Sequence, residues 1–550
     1  MAIQGSVLAN TTLCPSKGLS WPTPILPIRL HNIGGNTKGC CFAVLSTNLV
    51  KAGSSSSSSL QASSNHREIA RPLANFAPDI WGDRFLTLPF DSSEFESCSN
   101  QVEVLKAMVK DMLVASAIDP IENIKLINSL YRLGVSYNFK TEIQKQLAHH
   151  FISLGEIIDH NKDHDLHTIG VIFQVFRSYR YNMSSDVFNK FKDENDKFKM
   201  KPWLSQNRCW SPSSQSTDPH LTEYIVNALN RPYHRGVPRL EARQYICFYE
   251  KEASKNETLL KFAKYDFNRL QMMHQQELRV LCSWWKEGGM ESRFPHVRHR
   301  IVESYYTLMH MFGFLDDAYA TFEELQCFTS AMKRYDIAAM DKLQSDYLKL
   351  VYEVILAAHD EVEEKLRNEG RSFAVSYARK EFTRLVEAYH EQARWVHEGY
   401  EPTFDDFLET ALKSSGGTVT MAQVLVGMEE ADGDVYRCLI NTDNMIIKAL
   451  NSLSRLYDDI NTNEEEVKTW ACLWNYLLHE ATEAYRERIE VAWKDLREGC
   501  LKPPTSVRQQ IVTAALNLLD TAYKTEDGYG IPAITLKHVI TKILIHPIPL

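Results

Sequence analysis

The stretch Ser452–Glu466, SLSRLYDDINTNEEE, decides how the rest of the chain is read. Its apolar residues return at helical spacing, and a helix through it sets Asp458, Thr462 and Glu466 at i, i+4 and i+8 along one face. Two carboxylates and a hydroxyl one turn apart form a face able to chelate one cation. Asp459 adjoins Asp458, and Arg455 precedes Asp458 by one short turn, so a bidentate cation stands beside the oxygen donors. The same pattern also describes a polar helix face laced with ion pairs, and the stretch alone does not choose between the two.

A second acid cluster narrows the choice. Met311–Leu325, MFGFLDDAYATFEEL, sets Asp316 and Asp317 directly after the apolar Phe312–Leu315. An apolar approach of that length predicts a buried helix ending in carboxylates that face a cavity, which is costly unless something compensates the charge. A hard divalent cation with oxygen ligands, typically Mg²⁺ carrying a bound phosphate, is one compensation. A helix cap or a surface acid pair is the other reading. Both clusters together are less common than either alone.

Outward from these motifs the chain is helical. Val102–Ala115, Ile121–Leu133, Leu259–Trp285, Ile337–Asn368, Ala374–Glu398, Asp443–Tyr457 and Glu480–Glu498 carry 3.6-residue periodicity, and little alternates with period two. Breaks are expected at Gly134, Pro232–Pro238, Gly288-Gly289, Gly416-Gly417 and Pro503-Pro504. The Ser- and Pro-rich Lys201–Thr217 reads as a long loop, uncommon inside a compact helical domain.

Composition fits a globular enzyme of two or three domains: 550 residues, 44% hydrophobic and 24% charged. Lys+Arg 61 against Asp+Glu 70 gives −9, so no broad basic field is present for nucleic acid. No run approaches the roughly twenty apolar residues of a membrane span. The 11 cysteines lack zinc or disulfide-framework spacing and fit a reducing compartment. From Met1 to Arg67 there is no Asp or Glu, while Ser54–Ser59 is an unbroken serine run. An acid-free, Ser-rich, weakly basic leader of this kind reads as a plastid transit peptide, with an uncleaved disordered tail as the other reading.

These residues resemble a plant class I terpene synthase. Arg71-Pro72 followed by eight residues and Trp81 looks like the family's Arg-Pro-x8-Trp element. Tyr131–Phe139, Val237–Ile246 and Leu259–Leu278 match its helical segments, and the two acid clusters correspond to its Asp-Asp-x-x-Asp and (Asn/Asp)-Asp-x-x-(Ser/Thr)-x-x-x-Glu motifs. The leader together with Arg-Pro rather than Arg-Arg looks most like the casbene synthase group of plastid diterpene synthases. The resemblance implies an all-α, two-domain fold: a leader over 1–67, an N-terminal helical domain over 68–256 and a metal-binding class I domain over 257–550. It implies three Mg²⁺ ions, with Mn²⁺ as a substitute, held by Asp316, Asp317, Asp458, Asp459, Thr462 and Glu466. It gives the diphosphate to Arg298, Arg300 and Arg455, and a closing C-terminal loop to Asp527 and Tyr529. The implied reaction is ionisation of a prenyl diphosphate, geranylgeranyl diphosphate by the subgroup resemblance, followed by cyclisation to a diterpene of the casbene or cembrene type in the plastid. A sesquiterpene synthase using farnesyl diphosphate is the alternative within the class. A monomer without nucleic-acid partner or membrane span is expected.

The chain departs from the family pattern at three places in the catalytic half. Asp317 runs straight into AYATFEEL, and position 320 is Ala where the last Asp of the motif belongs. Carboxylates at i and i+4 lie about 40° apart around a helix, whereas the adjacent Asp316 and Asp317 diverge by about 100°. The span from Arg300 to Asp316 is shorter than the family's by roughly twenty residues, about five helical turns. Lys201–Thr217 and the run VKTWACLWNYLL after Glu466 also depart from it. A catalytically silent relative that keeps the fold is therefore a further expectation.

Overall fold

The computed structural model describes residues 79–155, 164–194, 238–293, 301–302, 322–343, 345–428, 431–440, 443–469, 479–501 and 534–550; at 458 and 460–469 it describes the helical backbone. The fold is all-α, as expected, with no strand among the described residues. Among the described residues the α-helices longer than four residues are α1 (Ser92–Ser116), α2 (Pro120–Arg132), α3 (Lys140–Ile152), α4 (Leu166–Ser178), α5 (Pro238–Tyr249), α6 (Glu257–Glu287), α7 (Phe322–Arg334), α8 (Asp346–Asn368), α9 (Phe373–Glu398), α10 (Phe404–Ser414), α11 (Gly417–Val426), α12 (Gly433–Leu439), α13 (Met445–Thr469), α14 (His479–Leu501) and α15 (Ile534–Leu544).

The chain divides into two compact units. One runs from Asp91 to Met272 and takes in Lys542–Leu550; the other holds the chain up to Phe90 and Met273–Thr541.

In the first unit, α1 begins at Asp91, whose carboxylate accepts from the Ser93 and Glu94 amides, and α2 begins at Asp119 with Pro120 in its first turn. Each cap satisfies amides that the helix start leaves unpaired. The expected break at Gly134 is real: φ is 77°, and a Cβ there would stand 2.7 Å from Ala242 Cβ. The apolar faces of α1 to α6 then meet in one core that includes Val102, Val109, Ile124, Ile127, Phe139, Phe176 and Phe262. Inside it lies a polar group that periodicity does not announce. The Tyr137 hydroxyl donates to the Asp266 carboxylate, 2.7 Å from each oxygen, and Arg269 pairs with the same carboxylate at 2.9 Å. All three residues are buried, so the charge is compensated where water cannot do it. The chain end joins this core as well: Asn268 and Ile548 exchange two hydrogen bonds of 2.8 Å.

In the second unit, a core of Leu366, Ala378, Met421, Leu425, Tyr436, Ile447, Leu450, Leu453, Trp493 and Leu496 unites α8, α9 and α11 to α14. The helix expected over Ile337–Asn368 is interrupted. Asp336 caps a 3-10 turn, Ile337–Lys342, and Leu343 and Ser345 turn extended before α8 restarts. Buried His359 on α8 is held between the Tyr335 hydroxyl and the Gln423 amide. Burial, reinforced by the Arg379 guanidinium, pushes its pKa down to about 3, so the ring stays neutral.

Candidate functional site

Helix α13 carries the second acid cluster, and its buried face explains how the cluster is placed. Ile446, Ile447, Leu450, Leu453 and Leu456 sink into the core. They pack α13 most extensively on α14, and also on α10 and α11. Trp493 of α14, fully buried, donates from Nε1 to the Tyr457 hydroxyl at 3.2 Å. The polar positions that follow Tyr457 are thus carried on a helix whose rotation about its own axis is fixed by packing.

Two polar rows run along α13 at one-turn spacing. The first is Asn451, Arg455 and Asp459. Asn451 is buried, donates to Thr418 Oγ1 at 2.9 Å and accepts from Ser415 Oγ at 3.4 Å. It is seated against the junction of α10 and α11, where Gly416 takes φ 75° and Gly417 brings backbone close: a Cβ on Gly417 would stand 2.5 Å from Asn451 Oδ1. One turn on, the Arg455 Nη2 donates to Asp459 Oδ1. The Arg455 side chain is 15% exposed and that of Asp459 5%, so the pair is mostly desolvated. Across the helix interface the Arg455 charge also reaches buried Tyr485 of α14, whose hydroxyl burial pushes up and Arg455 and Arg488 pull back.

The second row is Asp458, Thr462 and Glu466. The helical backbone is continuous through all three and ends at Thr469, so the predicted i, i+4, i+8 register holds. Their donor chemistry, two carboxylates and a hydroxyl, is all oxygen and suits Mg²⁺ or Mn²⁺. Among the described residues, no three His, Cys, Asp or Glu side chains gather to hold a metal ion. Asp316, Asp317, Arg298, Arg300, Asp527 and Tyr529 lie outside the described residues. Of the expected site the structure therefore brings together Arg455 and Asp459. Sequence reading missed Asn451, although its place one turn before Arg455 was the available signal; it also missed Tyr485, which no local spacing links to α13.

Comparison with known proteins converges on one family. A model described as the terpene synthase family, metal binding domain, matches residues 314–495, and one described as the terpene synthase N-terminal domain matches 80–207. A probable terpene synthase 6 of Ricinus communis is 37% identical, over 87% of this chain and 99% of the relative. A valerianol synthase of Camellia sinensis is 35% identical, over 88% of this chain and 98% of the relative. The solved isoprene synthase from grey poplar leaves, Populus x canescens, in complex with three Mg²⁺ ions and dimethylallyl-S-thiolodiphosphate, shares the fold. Its TM-score is 0.70 at 23% identity, covering 84% of this chain and 99% of that one. The Ricinus alignment is 550 positions long yet takes up only 87% of the 550 residues here, so about an eighth of its positions face no residue of this chain.

Proposed function

From the premise that this chain belongs to the terpene synthase family, whose members are lyases, we propose that it ionises farnesyl diphosphate and cyclises the resulting allylic cation to a sesquiterpene. The observation that carries the reading is α13: a packing-fixed helix within the matched metal-binding domain, with a paired arginine beside the register Asp458, Thr462, Glu466. Farnesyl diphosphate is favoured because the valerianol synthase relative is named for a sesquiterpene alcohol. Chain length is measured by the pocket of the catalytic half, whereas a leader is only an address. Geranylgeranyl diphosphate and a casbene-type diterpene form the second reading, supported by the acid-free leader and Arg71-Pro72. On the same reading residues 1–67 direct the chain to the plastid, 68–256 form the N-terminal domain, 257–550 form the catalytic domain, and the enzyme acts as a monomer.

In the proposed site Asp316, Asp317, Asp458, Asp459, Thr462 and Glu466 would hold Mg²⁺, three ions in the family pattern. When bound, the metal supplies Lewis-acid stabilisation of the departing diphosphate. Arg455, Arg298 and Arg300 take up the anionic charge through bidentate hydrogen bonds. By the family resemblance Asp527 and Tyr529 would help to shut the pocket, and exclusion of water there would keep the cation from being quenched. Aromatic faces stabilise the cation as it rearranges.

The test is a product assay on the full chain with Mg²⁺ and, separately, geranyl, farnesyl and geranylgeranyl diphosphate, read by gas chromatography and mass spectrometry. A cyclic product from farnesyl diphosphate that Asp458→Ala abolishes is expected. A product from geranylgeranyl diphosphate alone selects the diterpene reading. No product from any substrate, in a chain that circular dichroism shows to be helical, means that the incomplete first motif and the missing positions have silenced the enzyme.

A further inference from the structure

The proposed site treats the adjacent Asp458 and Asp459 as one carboxylate pair, and α13 separates them. Adjacent residues on a helix diverge by about 100°, whereas residues four apart diverge by about 40°. Asp459 therefore shares a row with Arg455 and Asn451, and Asp458 shares the other with Thr462 and Glu466. The first row is engaged with protein: Asn451 is bonded to Thr418, and Asp459 is bonded to Arg455. Asp459 is 4% exposed, and a carboxylate so placed needs a compensating charge, which Arg455 provides.

We infer that Asp459 is a positioning residue that holds the Arg455 guanidinium in place for diphosphate. The inference rests on the proposed prenyl diphosphate reading and assigns Asp459 a role other than metal ligation. A guanidinium offers five N–H donors in a rigid fork, and the bond from Nη2 to Asp459 restricts where that fork can swing. The pairing supplies preorganisation. An arginine on a flexible stem loses rotamer freedom when it binds, and one already held by Asp459 loses less. Helix rotation is held in turn by Asn451 one turn earlier, against Thr418 and the close approach of Gly417.

Three binding measurements on the full chain separate this role from ligation. Inorganic diphosphate with Mg²⁺ is titrated by calorimetry, Mn²⁺ without diphosphate is titrated by electron paramagnetic resonance, and both are repeated in an Arg455→Ala background. Asp459→Asn is expected to weaken diphosphate binding about tenfold and to leave Mn²⁺ binding unchanged. Asp459→Glu should recover part of the loss, Asp458→Ala should weaken Mn²⁺ binding, and Asp459→Asn should add nothing once Arg455 is Ala. The inference is overturned if Asp459→Asn lowers Mn²⁺ affinity as far as Asp458→Ala does, if it leaves diphosphate affinity intact, or if its effect persists without Arg455. Should Asp459→Asn fail to fold, the combination Arg455→Met with Asp459→Leu leaves no buried charge unpaired. That folded variant must keep Mn²⁺ affinity, and losing it overturns the assignment. A wild-type chain that binds neither Mn²⁺ nor diphosphate refutes the functional reading itself, an outcome distinct from all of these.

Discussion

Gly417→Ala tests whether the junction of α10 and α11 fixes α13. By helix propensity alone the change is favourable, because alanine exceeds glycine by about 1 kcal/mol in a helix interior and by less at a first position. The structure sets a larger opposing effect. The new Cβ would lie 2.5 Å from Asn451 Oδ1, 3.1 Å from Leu450 Cγ and 3.4 Å from the Asn451 backbone nitrogen. Both neighbours belong to the face of α13 that is buried, and Asn451 cannot swing away without giving up its 2.9 Å bond to Thr418. Overpacking of this kind costs about 1–3 kcal/mol, and the surrendered hydrogen bond about 1 kcal/mol. Net destabilisation of about 1–3 kcal/mol follows, a fall in midpoint of about 3–8 °C for a unit of this size. Thermal melts followed by circular dichroism would show the shift, and hydrogen exchange would show it confined to peptides of α11 and α13. Asn451→Ala removes the oxygen that the new methyl meets, so the two substitutions together should cost less than their sum. A midpoint that stays level or rises in Gly417→Ala, with exchange of α13 unchanged, refutes the close approach.

Three further outcomes are expected. Tyr137→Phe deletes the hydroxyl that donates to both Asp266 oxygens; it should lower the unfolding free energy by about 1–3 kcal/mol, and a neutral result in urea titration would show that Arg269 alone satisfies the carboxylate. His359 has a folded pKa near 3 against an ordinary 6.5, so below 6.5 the unfolded chain binds a proton that the folded chain refuses. Stability should therefore fall by about 1.4 kcal/mol per pH unit as pH drops from 6.5 toward 3; buried His150, also shifted down by burial, adds to the slope. His359→Gln should flatten the profile, and an unchanged slope would contradict the burial argument. Asn268→Ala removes both bonds to Ile548; amide exchange at Ile548 should accelerate markedly while that of α2 stays protected, and equal protection would show that burial of Ile548 suffices.

How far the sequence discloses such a molecule depends on the distance over which each interaction acts. Helices α1, α2, α6, α9 and α14 could be read from periodicity, because an amphipathic stripe is a local property. The end at Gly134 could be too, since a positive φ is a local property, whereas the expected start of α1 at Val102 falls ten residues after the observed one at Ser92, which Asp91 caps. The interruption before α8 could not, because Ile337–Lys342 keeps helical composition and the break depends on Asp336 capping a shorter turn. The Tyr137 and Asp266 bond spans 129 positions and leaves no local trace. The site shows the same division within one motif. Spacing alone yields the row Asp458, Thr462, Glu466, because it needs only a helix. What Asp459 does is set by which side of α13 is buried, by Asn451 meeting Thr418 and by α14 bringing Tyr485 near Arg455. An Asp-Asp pair in sequence is thus two residues with different neighbours. The chemistry of the second depends on tertiary packing, which α13 reveals and the motif does not.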